Sequence, residues 1–284
     1  LKLGINGENM VYLDLSHKDP KELDVKLGGI IEIYEKFMGD DPRKIPMKIF
    51  PAVHYSMGGL WVDINQMTNI PGLFACGECE YQYHGANRLG ANSLLSAIYG
   101  GMITGPKAIE YIKGLKKSSE DVSDSVFARE TKRQEDKFEA ILKMDGTENA
   151  YSLHKELGEW MTNNMTVVRF NDKLEQTIGK IKELKERYKK ININDTARWN
   201  NAGAAFTRQL WNMLELAEAM TKGALLRNES RGAHYKPEFP ERNDEEFLKT
   251  TKAKWTPDGP EISYEDVDTS LIKPRKRDYT TNKH

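Results

Sequence analysis

The residues that could do chemistry are concentrated in one Gly-rich, Lys-poor stretch from position 49 to 113. Arg88 lies there in a loop of Gly and Asn residues, and His54 lies just before Gly58-Gly59. An arginine can donate two parallel hydrogen bonds to a carboxylate, and a histidine can add another. Each residue alone is more often a solvated charge or a structural hydrogen bonder, but their clustering favours a shared anion site.

The run from Leu73 to Glu78 predicts a buried strand that ends in Gly77 and an acid. In α/β sheets, ligands bind beyond the carboxyl ends of the strands. A carboxylate at that edge can accept hydrogen bonds from sugar hydroxyls, and Gly77 would let a ligand approach the backbone. Glu78 is therefore a candidate ligand residue, although a strand-end cap also explains it. Another strand is predicted over 61–65.

The segment Asn92-Ser93-Leu94 predicts the N-terminus of a helix that continues through Ile103. The free N–H groups and the positive dipole end of such a terminus suit an anion or an electron-rich ring. Asn92 and Ser93 also fit an ordinary N-cap pair. Closely spaced glycines in the same helix would let it lie against a sheet or a flat cofactor.

Cys76 and Cys79 form a C-x-x-C pair and are the two cysteines of the chain. Redox and metal-binding roles are conceivable at this spacing. There is no further pair and no histidine at zinc spacing, so we favour neither a metal site nor a disulfide. Two cysteines in so long a chain exclude a disulfide scaffold and fit a reducing compartment.

Charge and hydropathy exclude several classes of protein. Lys and Arg number 42 and Asp and Glu number 43, so the chain lacks the basic excess of a nucleic-acid binder. Mean hydropathy is −0.67, and no apolar run approaches the roughly 20 residues that span a bilayer. We expect a soluble chain, or one that reaches a membrane only through a partner. It starts at Leu1 without a signal-peptide pattern, and we expect a fragment of a longer polypeptide.

The helices and strands that must position these residues indicate an α+β protein with four parts. A strand within 10–15 and a helix from Asp19-Pro20 open the chain. Apolar residues at helical spacing predict four amphipathic helices between 114 and 245, and we interpret their stripes as helix–helix packing. The polar tail from 246 onward predicts a strand-and-loop appendage laid over the rest.

Three blocks of the sequence together resemble the flavoprotein subunit of succinate dehydrogenase and fumarate reductase. They are His54–Gly59, Pro71–Glu78 and His84–Leu95, and their order and spacing make the similarity specific. A further cluster, Leu226–His234 followed by Phe239–Asp244, is similar to the C-terminal signature of that family's helical domain. The resemblance covers essentially the whole chain.

The resemblance implies FAD as the cofactor and the oxidation of succinate to fumarate. Electrons would pass to an iron–sulfur subunit and then to quinone through a membrane anchor. On the matching positions, His54 and Arg88 would bind the dicarboxylate, and Glu78 would bind a hydroxyl of the FAD sugar chain. Asn92, Ser93 and Leu94 start the helix whose N-terminus would approach the pyrimidine end of the flavin.

The same resemblance identifies the four parts and a location. They are the end of a capping domain at 1–48, the C-terminal part of a FAD-binding α/β domain at 49–113, a helical domain at 114–245 and a C-terminal subdomain at 246–284. The implied position is peripheral, on the cytoplasmic side of the cell membrane, through partner subunits. No nucleic-acid partner and no metal ligand are expected.

The chain departs from the family in two respects. Ala91 stands where some members have Gly, a mild change if the backbone there has negative φ. The family's Gly-rich ADP-binding unit, the His that carries FAD covalently and the Arg that shuttles the substrate proton would all lie upstream of Leu1. We therefore expect no catalytic residue within the chain, no activity of the chain alone, and a native polypeptide about twice as long.

Three other functions stay open at this point. Succinate oxidation and fumarate reduction use the same residues, so a fumarate reductase fits equally. L-aspartate oxidase resembles the chain at His84–Arg88 and Asn92–Leu95, but the long tail from Phe247 favours the succinate and fumarate branch. A helical docking module without chemistry, formed by 114–245, is the alternative of a different class.

Overall fold

The computed structural model describes residues 4–50 and 52–275, and the chain divides after Ser56 into two compact units. In the first unit, strands β1 (Val11–Leu13) and β2 (Met47–Ile49) pair antiparallel, with Tyr12 opposite Lys48. Helix α1 (Pro20–Met38) connects them in the sequence. The strand predicted within 10–15 and the helix predicted from Asp19 are both confirmed.

Local signals explain the limits of α1. The Asp19 side chain accepts a hydrogen bond from the Lys21 amide at 2.9 Å, and Pro20 occupies the first helical position. Gly39 ends the helix with a φ of 79°, the left-handed conformation of a common C-terminal cap. The Gly28-Gly29 pair lowers helix propensity but does not interrupt the helix.

The second unit is mainly helical. Its helices are α2 (Asn92–Gly114), α3 (Asp124–Leu142), α4 (Ala150–Asn164), α5 (Asn171–Tyr188), α6 (Ala202–Leu226) and α7 (Asp244–Phe247). Strands β3 (Lys249–Lys254) and β4 (Glu261–Asp266) follow as an antiparallel hairpin. Within residues 4–50 and 52–275, no helix has both the length and the apolarity that crossing a bilayer requires. The proposed four-part domain division stays a prediction.

Helices α4, α5 and α6 enclose the main core of this unit. Leu153, Ile181, Leu210 and Leu214 belong to one cluster and are fully buried. Burying such a side chain contributes about 1.5–3 kcal/mol. The interpretation of the apolar stripes as helix–helix packing is confirmed.

Two of the predicted strands are wrong. The run that ends at Glu78 contains one isolated β-bridge, at Phe74, followed by the 3-10 turn Gly77–Cys79. The run from 61 to 65 likewise contains one isolated bridge, at Val62. A strand needs a neighbour to complete its hydrogen bonds. Among the described residues, neither run has an adjacent strand with which to form a continuous ladder.

The β3–β4 hairpin is attached to the site-bearing segment through Trp61. The indole Nε1 donates to Glu265 Oε2 at 3.1 Å, and Lys252 Nζ lies 2.6 Å from the same oxygen. Lys252 Nζ also lies 5.9 Å from the centre of the Trp61 ring, within range of a cation–π interaction. Strands and loops thus follow residue 246 as far as residue 275, and the hairpin contacts another part of the chain; residues 276–284 of the predicted tail lie outside the described residues.

Candidate functional site

Helix α2 begins without a side-chain cap. Its N-cap residue is Ala91, which has no side-chain acceptor, so the alternative of an Asn92-Ser93 cap pair is wrong. The Asn92 amide donates to the Leu89 carbonyl oxygen at 3.2 Å. The first turn therefore offers backbone N–H groups and the positive dipole end without a capping side chain in front of them.

Ala91 adopts the left-handed conformation, with φ 62° and ψ 2°. The replacement of glycine by alanine would be a mild change only if φ were negative, and the observed φ is positive. An L-residue other than glycine loses roughly 1–2 kcal/mol in this region because its Cβ crowds a carbonyl oxygen. The turn that leads into α2 is thus conformationally strained at this position.

Arg88 is held directly beside the start of α2. Its Nη1 donates to the Leu89 carbonyl oxygen at 3.1 Å, the same oxygen that accepts from the Asn92 amide. The side chain is partly buried. The predicted anion-binding arginine and the predicted helix N-terminus therefore meet at one carbonyl group.

A histidine and a serine fix the preceding loop to α2. His84 Nε2 lies 3.0 Å from Ser96 Oγ, which in turn donates to the Ser93 carbonyl oxygen at 3.0 Å. Because a hydroxyl has one hydrogen, His84 Nε2 must be the donor toward Ser96. Burial lowers the pKa of His84 and the charge of Arg88 lowers it further, so the ring is neutral at pH 7.

Sequence reasoning missed the His84–Ser96 pair as a positioning contact. His84 was recognised within the His84–Leu95 block but given no role, and Ser96 was not singled out. A polar residue on an otherwise apolar, small-residue helix was the available signal. Its partner is twelve residues away, beyond what helical periodicity can report.

Glu78 is exposed and lies in the 3-10 turn Gly77–Cys79, which contacts α2. Gly77 has φ 78°, and a Cβ there would lie 3.5 Å from the Ala97 Cβ of α2. A Cβ on Gly100 would lie 3.1 Å from the Cys76 Cβ. The close approach of the turn and the helix therefore depends on Gly100, whereas a Cβ on Gly77 would be in ordinary contact and it is the left-handed φ that favours glycine there.

His54 and the cysteine pair are the two remaining sequence features. His54 lies in the first unit and is exposed, with its ring 6.5 Å from the Tyr55 ring. The role of His54 toward a dicarboxylate stays a prediction.

Cys76 and Cys79 are free thiols, and Cys79 Sγ donates to the Cys76 carbonyl oxygen at 3.3 Å. In the described part of the chain, no group of three or more His, Cys, Asp or Glu residues could hold a metal ion.

These residues fit the cofactor and substrate that the resemblance implies. Leu94, Leu95 and Ile98 are each more than 60% exposed and form an apolar surface at the start of α2. A flat ring could lie on this surface while its electron-rich edge meets the N–H groups of the first turn. The exposed carboxylate of Glu78 suits a sugar hydroxyl, and the guanidinium of Arg88 suits a carboxylate.

Two family models match the chain. A FAD binding domain matches residues 2–94, and the C-terminal region of the fumarate reductase flavoprotein matches residues 154–279. Together they include the α2 start and the signature after α6.

Similar proteins and structures agree with these models. The succinate dehydrogenase flavoprotein subunit of Bacillus subtilis is 72% identical over 99% of the chain and 48% of its own length. The Escherichia coli fumarate reductase flavoprotein subunit is 37% identical over 95% of the chain and 45% of its own length. A solved E. coli quinol–fumarate reductase flavoprotein, a mutant form, has a TM-score of 0.89 and 35% identity over 96% of the chain and 47% of its own.

A more distant solved structure, Mycobacterium smegmatis Sdh1 in complex with UQ1, has a TM-score of 0.73 and 28% identity over 93% of the chain and 44% of its own. The chain spans about half the length of the curated relatives it matches. Sequence similarity thus extends over nearly the whole chain, and the fold agrees with it. The chain belongs to the flavoprotein-subunit family of succinate dehydrogenase and fumarate reductase.

Proposed function

We propose that this chain supplies part of the FAD site and part of the dicarboxylate site of a succinate dehydrogenase flavoprotein, which oxidises succinate to fumarate. The observation that carries the proposal is the Leu89 carbonyl oxygen, which accepts from both Arg88 and the first amide of α2. It sets a carboxylate-binding side chain beside a helix terminus suited to an electron-rich ring. The 72% identity to a succinate dehydrogenase subunit supports succinate as the substrate.

Arg88 would bind one carboxylate of succinate through its planar guanidinium. The resemblance also assigns dicarboxylate binding to His54, and that assignment stays a prediction. Charge-assisted bonds of this kind hold the carbon chain in one orientation, which lowers the entropy cost of reaching the transition state. The partial burial of Arg88 strengthens its attraction for the dianion, since fewer water molecules compete. The neutral His84 adds no competing charge near Arg88.

Glu78, Asn92, Ser93 and Leu94 would hold the cofactor. When bound, FAD supplies the acceptor for the two electrons that leave the substrate. Glu78 would accept from a hydroxyl of its sugar chain, the first amides of α2 would donate to the pyrimidine end, and Leu94 would exclude water from the ring. We assign binding and orientation to these residues and no catalytic residue to the chain. The proton-shuttling arginine of the family is expected upstream of Leu1.

We further propose that the complete flavoprotein passes electrons to an iron–sulfur subunit and, through a membrane anchor, to quinone. It would then lie at the cytoplasmic side of the cell membrane, held there by its partner subunits. Support comes from relatives solved with quinones, the M. smegmatis protein with UQ1 and a quinol–fumarate reductase with menaquinol. The second is 35% identical to this chain, with a TM-score of 0.88.

Fumarate reductase is the second candidate, because a fumarate reductase flavoprotein has a TM-score of 0.89 with this chain. The curated fumarate reductase flavoprotein subunits are 33–37% identical to this chain, against 72% for the Bacillus subtilis succinate dehydrogenase subunit, and this difference favours the succinate direction. L-aspartate oxidase and a helical docking module without chemistry are the remaining alternatives.

The test is a substrate comparison with the complete, FAD-loaded flavoprotein from the source organism. Oxidation of succinate and of L-aspartate is followed with an artificial electron acceptor, and fumarate reduction with an artificial donor. We expect succinate to be oxidised and L-aspartate to be left unchanged. L-aspartate turnover alone would identify an oxidase, and no turnover with any of the three substrates would support the docking module.

A further inference from the structure

A turn after helix α6 contacts the Arg88 loop across a long separation in sequence. In this Arg231–His234 turn, the Ala233 amide donates to the Ala86 carbonyl oxygen at 3.0 Å. Ala86 lies two residues before Arg88. The turn is closed by two backbone hydrogen bonds between Arg231 and His234, of 2.7 and 3.1 Å. A locally closed turn therefore braces the backbone that leads to Arg88.

Gly232 makes this approach possible. Its φ is 59°, in the left-handed region that favours glycine. A Cβ at this position would lie 2.5 Å from the Ala86 carbonyl oxygen and 2.9 Å from the Ala86 Cβ. Any side chain at 232 would therefore push the Arg88 loop away from the turn.

A buried charge network holds the Arg231–His234 turn in place. Glu229 is fully buried and accepts two hydrogen bonds from Arg231, of 2.8 and 2.9 Å, and one from the Asn243 amide at 2.9 Å. Arg227 pairs with the same carboxylate, and Arg231 also reaches Asp244 at 2.7 Å. Burial raises the pKa of Glu229, but these hydrogen bonds outweigh it, so the pKa lies below its usual value and the carboxylate stays charged.

The same loop has an anchor at its other end. His84 is bonded to Ser96 on α2, two residues before the Ala86 carbonyl oxygen that meets the turn. The backbone ahead of Arg88 is thus held from two directions, by α2 and by the turn. Two fixed points so close together leave the backbone little freedom to move the guanidinium.

We propose that the Arg231–His234 turn is a positioning element for dicarboxylate binding, with Gly232 as its contact and the Glu229–Arg231 pair as its support. It acts through Ala86 and sets where the Arg88 guanidinium lies; it does not touch the substrate. The proposal rests on the proposed function of Arg88 and extends it to residues more than 140 positions later in the chain.

The test compares Gly232→Ala with Gly39→Ala in the complete, FAD-loaded flavoprotein. Gly39 has φ 79°, and no described atom lies within 4 Å of the position of a Cβ there, so its variant carries the conformational cost without the close approach. The first readout is the calorimetric Kd for malonate, a dicarboxylate that has no CH2–CH2 bond to desaturate. The second is the pair of separate KM and kcat values for succinate. Flavin absorbance and Tm report on folding.

We expect Gly232→Ala to raise the malonate Kd and the succinate KM about 10- to 100-fold, since a side chain misplaced by about 1 Å loses that much. Gly39→Ala should leave both at the wild-type values. A Gly232→Ala protein that is folded, carries FAD and binds malonate as the wild type does would overturn the proposal.

A milder variant covers the case in which Gly232→Ala does not fold. Arg231→Lys keeps the charge but loses the two-pronged contact to Glu229, and we expect a smaller rise in the malonate Kd. An unchanged Kd in this variant would overturn the proposal. Arg88→Ala distinguishes failure of the proposed function from failure of the positioning role. If Arg88→Ala also leaves the malonate Kd unchanged, the proposed function itself fails. If Arg88→Ala abolishes malonate binding while Gly232→Ala does not, only the positioning role fails.

Discussion

The helical bundle and the α2 segment differ in where their apolar surfaces go. In α4, α5 and α6, side chains such as Leu153, Ile181 and Leu210 are fully buried against one another. In α2 the buried residues are Ser96 and Gly100, while Leu94 is 73% exposed. The helices of the bundle thus bury their apolar side chains against one another. α2 keeps its apolar surface available at the same place as its uncapped N-terminus, which is the arrangement of a binding element.

A buried charge network lies where the bundle meets the site segment, and breaking it should have the largest effect. Glu229→Ala leaves Arg227 and Arg231 without their shared carboxylate in a buried position. We expect the free energy of unfolding of the complete protein to fall by about 3–5 kcal/mol. Urea unfolding measures it, with Glu245→Ala, an exposed neighbour on α7, as the control. A loss no greater than that of the control would contradict the network's importance.

The bundle core should respond next. Ile181→Ala removes a fully buried side chain from the α4–α5–α6 cluster and should cost about 2–5 kcal/mol, because a cavity remains. Lys182→Ala, at the adjacent exposed position of the same helix, should change stability by less than about 0.5 kcal/mol. Tm and urea midpoints of the complete flavoprotein check both. Equal effects of the two variants would show that this bundle is not the main core.

Acidification should weaken the contact between the two regions through His234. Burial, together with the charges of Arg169, Lys236 and Arg227, lowers the pKa of His234 to about 4, although a hydrogen bond to the Arg227 carbonyl oxygen acts in the opposite direction. The unfolded chain binds a proton here below its pKa of about 6.5, and the folded chain only below the lower value. His234 therefore contributes its full stabilisation above the pKa of the unfolded chain. This stabilisation is lost as the pH falls toward the pKa of His234 in the folded chain.

Between pH 7 and pH 5 this group alone should remove about 2 kcal/mol of unfolding free energy. His234→Gln should flatten that part of the pH dependence, whereas His17→Gln, an exposed position, should not. Urea unfolding at the two pH values measures the difference. The same slope in wild type and His234→Gln would argue against a neutral, buried His234.

The smallest effect is expected at the turn into α2. Ala91→Gly removes the strain of a left-handed alanine and should raise stability by up to about 1 kcal/mol, since the added freedom of the unfolded chain offsets part of the gain. Ala108→Gly, inside the same helix, should instead lower stability by about 0.5–1 kcal/mol. Thermal unfolding separates the two signs. A destabilised Ala91→Gly protein would show that the strain is absent.

The sequence was most informative where structure is local. Helices α4 to α6 follow from the spacing of apolar residues, and Asp19 and Pro20 mark the start of α1. The strands predicted at 61–65 and 73–78 are wrong because a strand depends on a neighbour that its own residues do not specify.

Site residues behave in the same way. The sequence pattern singled out Arg88 and the α2 start as candidates, and the structure brings them together at Leu89. The contacts of His84 with Ser96 and of Gly232 with Ala86 join residues that are distant in sequence, and no periodicity or spacing reports them. Their roles in binding stay predictions until variants are measured.

The central claim is that Arg88 binds the dicarboxylate beside the N-terminus of α2. The most direct measurement is succinate turnover by the complete, FAD-loaded flavoprotein carrying Arg88→Ala, with Arg198→Ala, an exposed arginine, as the matched control. We predict a loss of about 2–4 kcal/mol in transition-state binding, roughly a 30- to 1000-fold lower kcat/KM, for Arg88→Ala alone. Turnover equal to that of the Arg198→Ala control, with FAD still bound, would contradict the claim.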